Sequence, residues 1–172
     1  YLCILQEDVA VGWEVVYENT LTGAATTIDI TGLDGDKDVI YQLHIMHKNG
    51  GTAAGNMYMR FNDDSTTNYN IIYLQALDGA LSTSHVEASS GMNCAYTDIS
   101  QSSYNVYSIF AKTGDKRRMV SQSICWYTPL ATDQLLRQEW FGEWTNTTSN
   151  IIKINIAAAA NLNFAAGTYL LL

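Results

Sequence analysis

The acidic turn at residues 34–38 has side chains of the kind that bind a hard metal ion. Asp34, Asp36 and Asp38 stand at alternate positions, and Ca²⁺ takes several oxygen ligands that converge from a tight turn. The EF-hand loop also needs a glutamate at its twelfth position, which is Ile45 when counted from Asp34. The full motif is absent, so a solvated turn, neither helix nor strand, is favoured over a calcium site.

The histidines and glutamates do not form a recognisable catalytic arrangement. His44 and His47 are three positions apart in a segment with strand periodicity, so they should lie on opposite faces and cannot bind one ion together. Glu139 and Glu143 would be about 13 Å apart on a strand, which is too far for either glycosidase geometry. The sequence also lacks a Gly-x-Ser-x-Gly nucleophile motif. We therefore expect no catalytic residues, no cofactor and no enzymatic activity.

Aromatic side chains suggest a different kind of site, a stacking platform for sugar rings. The candidates are Trp140 and Trp144, together with Tyr104, Tyr107 and Trp126. An exposed aromatic ring can stack on the apolar face of a sugar, whereas a buried ring fills the core. Burial is the favoured interpretation, because large aromatic side chains dominate the energetics of cores.

The charge of the chain argues against two classes of partner. The formal net charge is −8, and only 15% of the residues are charged. Binding to nucleic acid requires a basic stripe that neutralises phosphates, and an anionic membrane surface attracts basic segments. We therefore expect neither nucleic acid nor membrane as a partner. Cys3, Cys94 and Cys125 are widely spaced, and we expect reduced structural thiols.

A long strand beginning at residue 39 is the clearest element of the sequence. On one face it carries only apolar side chains, and on the other it mixes apolar and polar ones. This pattern suits a strand that packs on a core on one side and is partly covered on the other, for example by another subunit. The residues predicted to face the core are Val39, Tyr41, Leu43 and Ile45.

About ten strands follow one another with turn residues between them, and no long helix is indicated. This pattern predicts an all-β protein, an antiparallel two-sheet β-sandwich with a jelly-roll-like arrangement. We expect a single domain over residues 1–172, with residues 1–11 as an N-terminal arm and 78–91 as a long loop that makes contacts. The other predicted strands are 13–17, 26–30, 57–61, 69–77, 92–99, 104–112, 118–126, 134–144, 152–156 and 167–172.

Several of these segments together resemble a family of phage virion proteins, small β-sandwich subunits found on capsids and tail appendages. The similarity extends over about residues 26–172, and the apolar residues at both chain ends are less typical of it. The segments that carry it are 28–33 with Asp38 and Tyr41, 59–64 with Asn68 and Tyr69, Trp144 with Asn146, 150–156, Phe164 and 167–168.

The resemblance implies a non-enzymatic structural subunit located on the virion, as a capsid decoration, a head spike or a tail-associated protein. It implies a homo-oligomer, contacts with other virion proteins, or both. The alternative is a carbohydrate-binding β-sandwich module, with Trp140 and Trp144 contacting a glycan of the host surface. The two hypotheses differ in what they require, because assembly needs a large apolar interface whereas sugar binding needs exposed aromatic rings beside polar groups.

Overall fold

Two antiparallel sheets, one of eight strands and one of four, form a β-sandwich. The fold comes from a computed structural model that describes residues 13–77, 80–127 and 134–172. The prediction of an all-β, antiparallel two-sheet sandwich is confirmed. The N-terminal arm expected at residues 1–11, together with Cys3, lies outside the described residues.

Twelve strands and one helical turn occur in the described part of the chain. In chain order they are β1 (Glu18–Thr20), β2 (Thr27–Thr31), α1 (Gly35–Asp38), β3 (Ile40–Lys48), β4 (Gly55–Phe61), β5 (Tyr69–Leu77), β6 (Ala80–Ser89), β7 (Met92–Thr97), β8 (Ser102–Phe110), β9 (Arg117–Tyr127), β10 (Gln134–Trp144), β11 (Lys153–Ala158) and β12 (Tyr169–Leu171). The strand order is β1-β12-β3-β8-β9-β10-β5-β6 in the eight-stranded sheet, hereafter the large sheet, and β2-β11-β4-β7 in the small sheet.

The core lies between the two sheets and is built by alternating side chains. In β3, Tyr41, Leu43 and Ile45 are buried as predicted, because successive side chains of a strand point to opposite faces. In β10, Trp144 packs between Phe61 and Tyr69, with ring centroids 5.6 and 6.4 Å away. The small sheet contributes Ile28, Ile30, Met57, Met59, Phe61, Met92, Cys94, Ile154 and Ile156 to the same cluster.

The acidic turn is helical, so the expectation of neither helix nor strand was wrong there. Asp34 caps α1 by accepting a hydrogen bond from the Lys37 N–H at 3.3 Å, and aspartate is among the best residues for that position. The turn ends at Val39, which has a φ of 66° and is 38% exposed. Val39 therefore closes the turn and does not belong to the core face of β3, as the sequence pattern had suggested.

The segment expected to be a long loop at 78–91 is largely strand β6. Its residues are mostly exposed on both faces, so they lack the period-two pattern by which a half-buried strand is recognised. Pairing with β5, from Leu77 opposite Ala80 to Ile71 opposite Val86, supplies its hydrogen bonds instead. Tertiary pairing thus decides a structure that local sequence does not signal.

The first predicted strand, 13–17, is also corrected. The backbone N–H groups of Val16 and Tyr17 both donate to the carbonyl of Leu172, at 2.8 and 3.1 Å. Sharing one acceptor interrupts the regular ladder, and β1 begins only at Glu18. The strand predicted at 134–144 is confirmed as β10 over the same residues.

Candidate functional site

The face of the large sheet that points away from the small sheet, hereafter the outer face, carries many exposed apolar side chains. Each of them is between 40% and 59% exposed. A solvated sheet face is ordinarily polar, and large contiguous apolar patches on a soluble protein mark sites of interaction. These residues are Ile40, Met46, Ile72, Tyr104, Phe110, Ile124, Trp126, Leu135 and Phe141.

One end of the outer face forms a groove of about 540 Å³ across β3, β8, β9 and β10. The strand register places Met46 opposite Tyr104, Tyr104 opposite Ile124, and Trp126 opposite Leu135. These five residues line the groove. Cross-strand neighbours lie about 4.5–5.5 Å apart, so the apolar surface is continuous over four strands.

A second apolar cluster lies farther along the outer face. Val120, Phe141 and Ile72 are direct cross-strand partners on β9, β10 and β5. They form part of a shallower groove of about 310 Å³ that also includes His85 and Glu143. Phe141 is 42% exposed and Ile72 is 51% exposed, so this cluster also offers an apolar contact.

Charged groups separate and border the two clusters. The Arg137 guanidinium binds Glu139 at 2.7 Å, and the Lys116 ammonium binds Glu143 at 2.7 Å. The hydrogen bond from Lys116 lowers the pKa of Glu143, although burial acts in the opposite direction. Exposed ion pairs add little to stability, but fixed charges beside apolar patches determine which partner, and which register, is accepted.

The three aspartates of the acidic turn do not converge on one point. Asp34 accepts a hydrogen bond from the Asn150 side chain at 2.8 Å, and Asp38 accepts one from the Tyr41 hydroxyl at 2.8 Å. Asp36 accepts from the Thr113 hydroxyl at 2.6 Å and from its N–H at 2.7 Å.

These hydrogen bonds affect the pKa of the carboxylates and attach the turn to its neighbours. The hydroxyl bond from Thr113 lowers the pKa of Asp36 most, followed by the backbone bond. The carboxylates therefore tie the turn to neighbouring loops, and the residues proposed as a calcium site act as structural acceptors. In the part of the chain that the structure describes, no three metal-ligating side chains are clustered.

Trp140 and Trp144, the suggested sugar platform, belong to the core. They are 2% and 1% exposed. The Trp144 indole N–H donates to Asp64 at 2.7 Å, and the Trp140 ring lies 4.6 Å from the ring of Tyr73. A sugar ring cannot reach either indole face, whereas Trp126 and Tyr104 are 50% and 44% exposed in the groove.

The two histidines of β3 lie on opposite faces of the strand, and the described cysteines, Cys94 and Cys125, are buried. His47 is 1% exposed, whereas His44 lies on the opposite face of β3 and contacts the Tyr104 hydroxyl at 2.9 Å. Burial lowers the pKa of His47 to about 4. Burial also raises the pKa of the Cys94 and Cys125 thiols to about 12, which disfavours the reactive thiolate.

Arg117 is a structural residue that the sequence pattern did not reveal. It is fully buried, and its guanidinium donates to the carbonyls of Asn146 and Ser149. Its guanidinium carbon lies 5.3 Å from the ring centre of Trp144, in cation–π contact. A buried arginine inside a short basic run has no local signature, because such a run usually indicates a solvated surface.

Comparison with protein-family models, with curated proteins and with solved structures gives no match. Within the described ranges, no helix is long and apolar enough to cross a bilayer. The outer face is the feature of the described surface that points most clearly to an interaction.

Proposed function

We propose that this protein is a non-enzymatic structural subunit of a bacteriophage virion, and that it assembles through the outer face of its large sheet. The observation that carries the proposal is the apolar surface that runs across four strands at the groove. Fully burying an exposed leucine contributes about 1.5–3 kcal/mol, and Leu135 is 50% exposed, so covering it contributes roughly half of that. Covering this face with symmetry mates or with a particle surface is therefore favourable.

The strand order is one that a virion protein and a carbohydrate-binding module can share. If the meander β8-β9-β10 is counted as one unit, β2 through β11 give eight units in chain order. The small sheet then contains the first, eighth, third and sixth units, and the large sheet contains the second, seventh, fourth and fifth, with β1 and β12 added at one edge. We infer a jelly roll, an arrangement that recurs in viral capsid proteins and in lectins.

The pattern of charges on the outer face supports assembly with a defined geometry. Apolar clusters provide affinity, whereas the pairs Arg137–Glu139 and Lys116–Glu143 lie beside them and restrict the orientation of a partner. Homo-oligomers usually close by symmetry, so that the same patch is used on both subunits. We expect the outer face to be the patch through which copies of the chain contact one another.

The first test compares two isoleucines that are both exposed but lie in different places. Ile124 lines the groove and is 40% exposed, whereas Ile152 precedes β11 and is 57% exposed. We expect Ile124→Ser to lower the mass measured by light scattering at a concentration where the native protein is oligomeric. Ile152→Ser should leave the mass unchanged. The same decrease in mass for both variants, or no decrease for either, would contradict assembly through the outer face.

The second test concerns the virion itself. Mass spectrometry of particles purified on a density gradient from the source culture should detect this chain in the particle fraction. Detection only in the free-protein fraction would contradict the virion assignment, while leaving assembly through the outer face to be judged by the isoleucine variants.

A carbohydrate-binding module is the second candidate, and one observation favours it. Trp126 and Tyr104 are half exposed in the same groove, beside the polar residues Ser102 and Lys48. A glycan array separates the two functions. A strictly monomeric protein that binds one defined sugar, and loses that binding in Trp126→Ala, would favour the module over the structural subunit.

A further inference from the structure

The four edge strands of the sandwich differ greatly in length. The large sheet ends in β1 and β6, and the small sheet ends in β2 and β7. These strands have three, ten, five and six residues, respectively. An edge strand presents unpaired N–H and C=O groups that can pair with another chain, and natural proteins usually keep such strands short or otherwise protected. Among the strands that the structure describes, β6 is the longest edge strand.

β6 lacks most of the devices that protect an edge. Between residues 80 and 89 it contains no proline and no lysine, and Glu87 is its single carboxylate. A bulge distorts one end, where the register with β5 shifts and Ala88 has a φ of 52°. From Ala80 to Val86 the pairing with β5 is regular, so these seven residues can template another strand.

Both faces of β6 are open to solvent. Leu81 is 72% exposed on one face, and Val86 is 42% exposed on the other. A strand can therefore be added at this edge without displacing any packed side chain. Leu81, Thr83 and His85 pair with Ala76, Leu74 and Ile72 of β5 and so continue the outer face.

We propose that β6 pairs antiparallel with β6 of a second copy about a twofold axis perpendicular to the sheet, with Thr83 opposite Thr83. The two large sheets then become one continuous sheet, with the apolar outer face running across the junction. This contact is one part of the assembly proposed above and rests on that proposal. It specifies which strand makes the contact, in which register, and about which symmetry axis.

The sequence of β6 is symmetric about Thr83 over the three residues Ser82, Thr83 and Ser84, and the pairing of these small polar side chains with their own copies favours a second copy as the occupant. In this register Ser82 faces Ser84, Leu81 faces His85, and Ala80 faces Val86. Thr–Thr pairs and small polar pairs are favourable across strands, whereas like charges directly opposite are unfavourable. The two Glu87 side chains lie at opposite ends of the junction, so the carboxylates of β6 itself do not face each other.

Disulfide trapping tests the register directly. In a Cys3→Ser background the remaining native thiols, Cys94 and Cys125, are buried. Thr83→Cys should form a disulfide-linked dimer under mild oxidation, because Cα atoms opposite each other in an antiparallel pair are about 4.5–5.5 Å apart. The control Glu87→Cys lies on the same strand, but its two copies would be about 26 Å apart in this register. It should remain monomeric on a non-reducing gel.

A charge variant provides a second readout without a cysteine. Thr83→Lys places two ammonium groups across the axis and should weaken self-association measured by sedimentation by about fivefold or more. Thr83→Val keeps a strand-forming residue and should associate like the native chain. Equal trapping at positions 83 and 87, no trapping at position 83, or equal association of Thr83→Lys and Thr83→Val would overturn the pairing.

The outcomes separate this contact from the proposed function. Weakened assembly in Ile124→Ser, together with no trapping at position 83, would leave the structural subunit standing and remove the β6 contact. Trapping at position 83, together with an Ile124→Ser variant of unchanged mass, would support the β6 contact and contradict assembly through the outer face.

Discussion

Trp126 on β9 and Leu135 on β10 are direct cross-strand partners, and each of them is 50% exposed. A tryptophan–leucine pair of this kind usually lies in the core, where aromatic side chains gain most from burial. Here the core of the same strands is already filled by Trp140 and Leu136 on the inner face. The outer pair is therefore available to a partner, and this is the basis of the assembly that we propose.

Asp64 should stabilise the fold through the buried Trp144. Its carboxylate accepts hydrogen bonds from the Trp144 indole at 2.7 Å, from the Asn68 amide at 2.9 Å and from the Thr66 hydroxyl at 2.5 Å. We expect Asp64→Asn to lower the free energy of unfolding by about 1–3 kcal/mol, since asparagine has only one acceptor oxygen and no charge and cannot accept all three of these hydrogen bonds as the carboxylate does. The measurement is urea unfolding at neutral pH. The control is Asp115→Asn, whose carboxylate is largely exposed and which should unfold like the native protein.

From the pKa of Asp64 we predict how the free energy of unfolding changes in acid. Burial raises the pKa of Asp64, but the hydrogen bonds from Thr66, Asn68 and Trp144 outweigh it and leave the pKa at about 2. The unfolded chain binds this proton more readily, so the stabilisation is complete above about pH 4 and is lost as the pH falls towards 2. Asp64→Asn should show a weaker pH dependence in that window. An unchanged dependence would contradict this role.

The buried His47 should cause a second pH dependence of the free energy of unfolding, at higher pH than that of Asp64. Its pKa is about 4 in the folded protein because the ring is buried, whereas an unfolded histidine titrates near 6.5. The unfolded state therefore takes up the proton first, and stability should fall as the pH is lowered from about 6.5 to about 4. The full loss is about 3 kcal/mol. An NMR titration of the His47 ring with a midpoint near 6.5 would contradict this assignment.

Gly51 should tolerate no side chain. A Cβ built there would lie 2.2 Å from the carbonyl oxygen of Asn161 and 2.7 Å from the Cα of Leu162, both in the backbone of a neighbouring loop. We expect Gly51→Ala to destabilise the protein by about 1–3 kcal/mol or more, because the loops must move apart. Gly23→Ala is the matched control, since nothing lies within 4 Å of its Cβ. Equal melting temperatures of the two variants would refute the close approach.

Gly51 also illustrates what a sequence pattern can and cannot predict. The sequence at residues 49–51 predicts a turn, because two consecutive glycines can adopt a positive φ. Positive φ among the described glycines occurs at Gly32, Gly114 and Gly167, and not at this pair. The turn is present, but its glycines are needed because another loop approaches closely. Such a contact arises between residues distant in sequence and leaves no local pattern.

At the candidate site, the sequence likewise predicts only part of how the side chains are oriented. Period-two alternation in the predicted strand 134–144 places Trp140 and Trp144 on one face, as they are in β10, and Phe141 on the other face, where it is 42% exposed. Because both faces of this strand carry aromatic residues, the sequence indicates which residues share a face but not which face is covered. The packing of the small sheet decides that, and it buries the two tryptophans.

Hydroxyl-radical footprinting across a concentration series shows whether the outer face becomes covered when the protein associates. If the outer face is the assembly surface, oxidation of Met46, Tyr104 and Trp126 should fall as the protein associates, since radicals reach only exposed side chains. Oxidation of Ile152, which is 57% exposed and precedes β11 of the small sheet, should stay constant. Unchanged oxidation of the three groove residues in an associated sample, or a monomer at every concentration, would contradict the account.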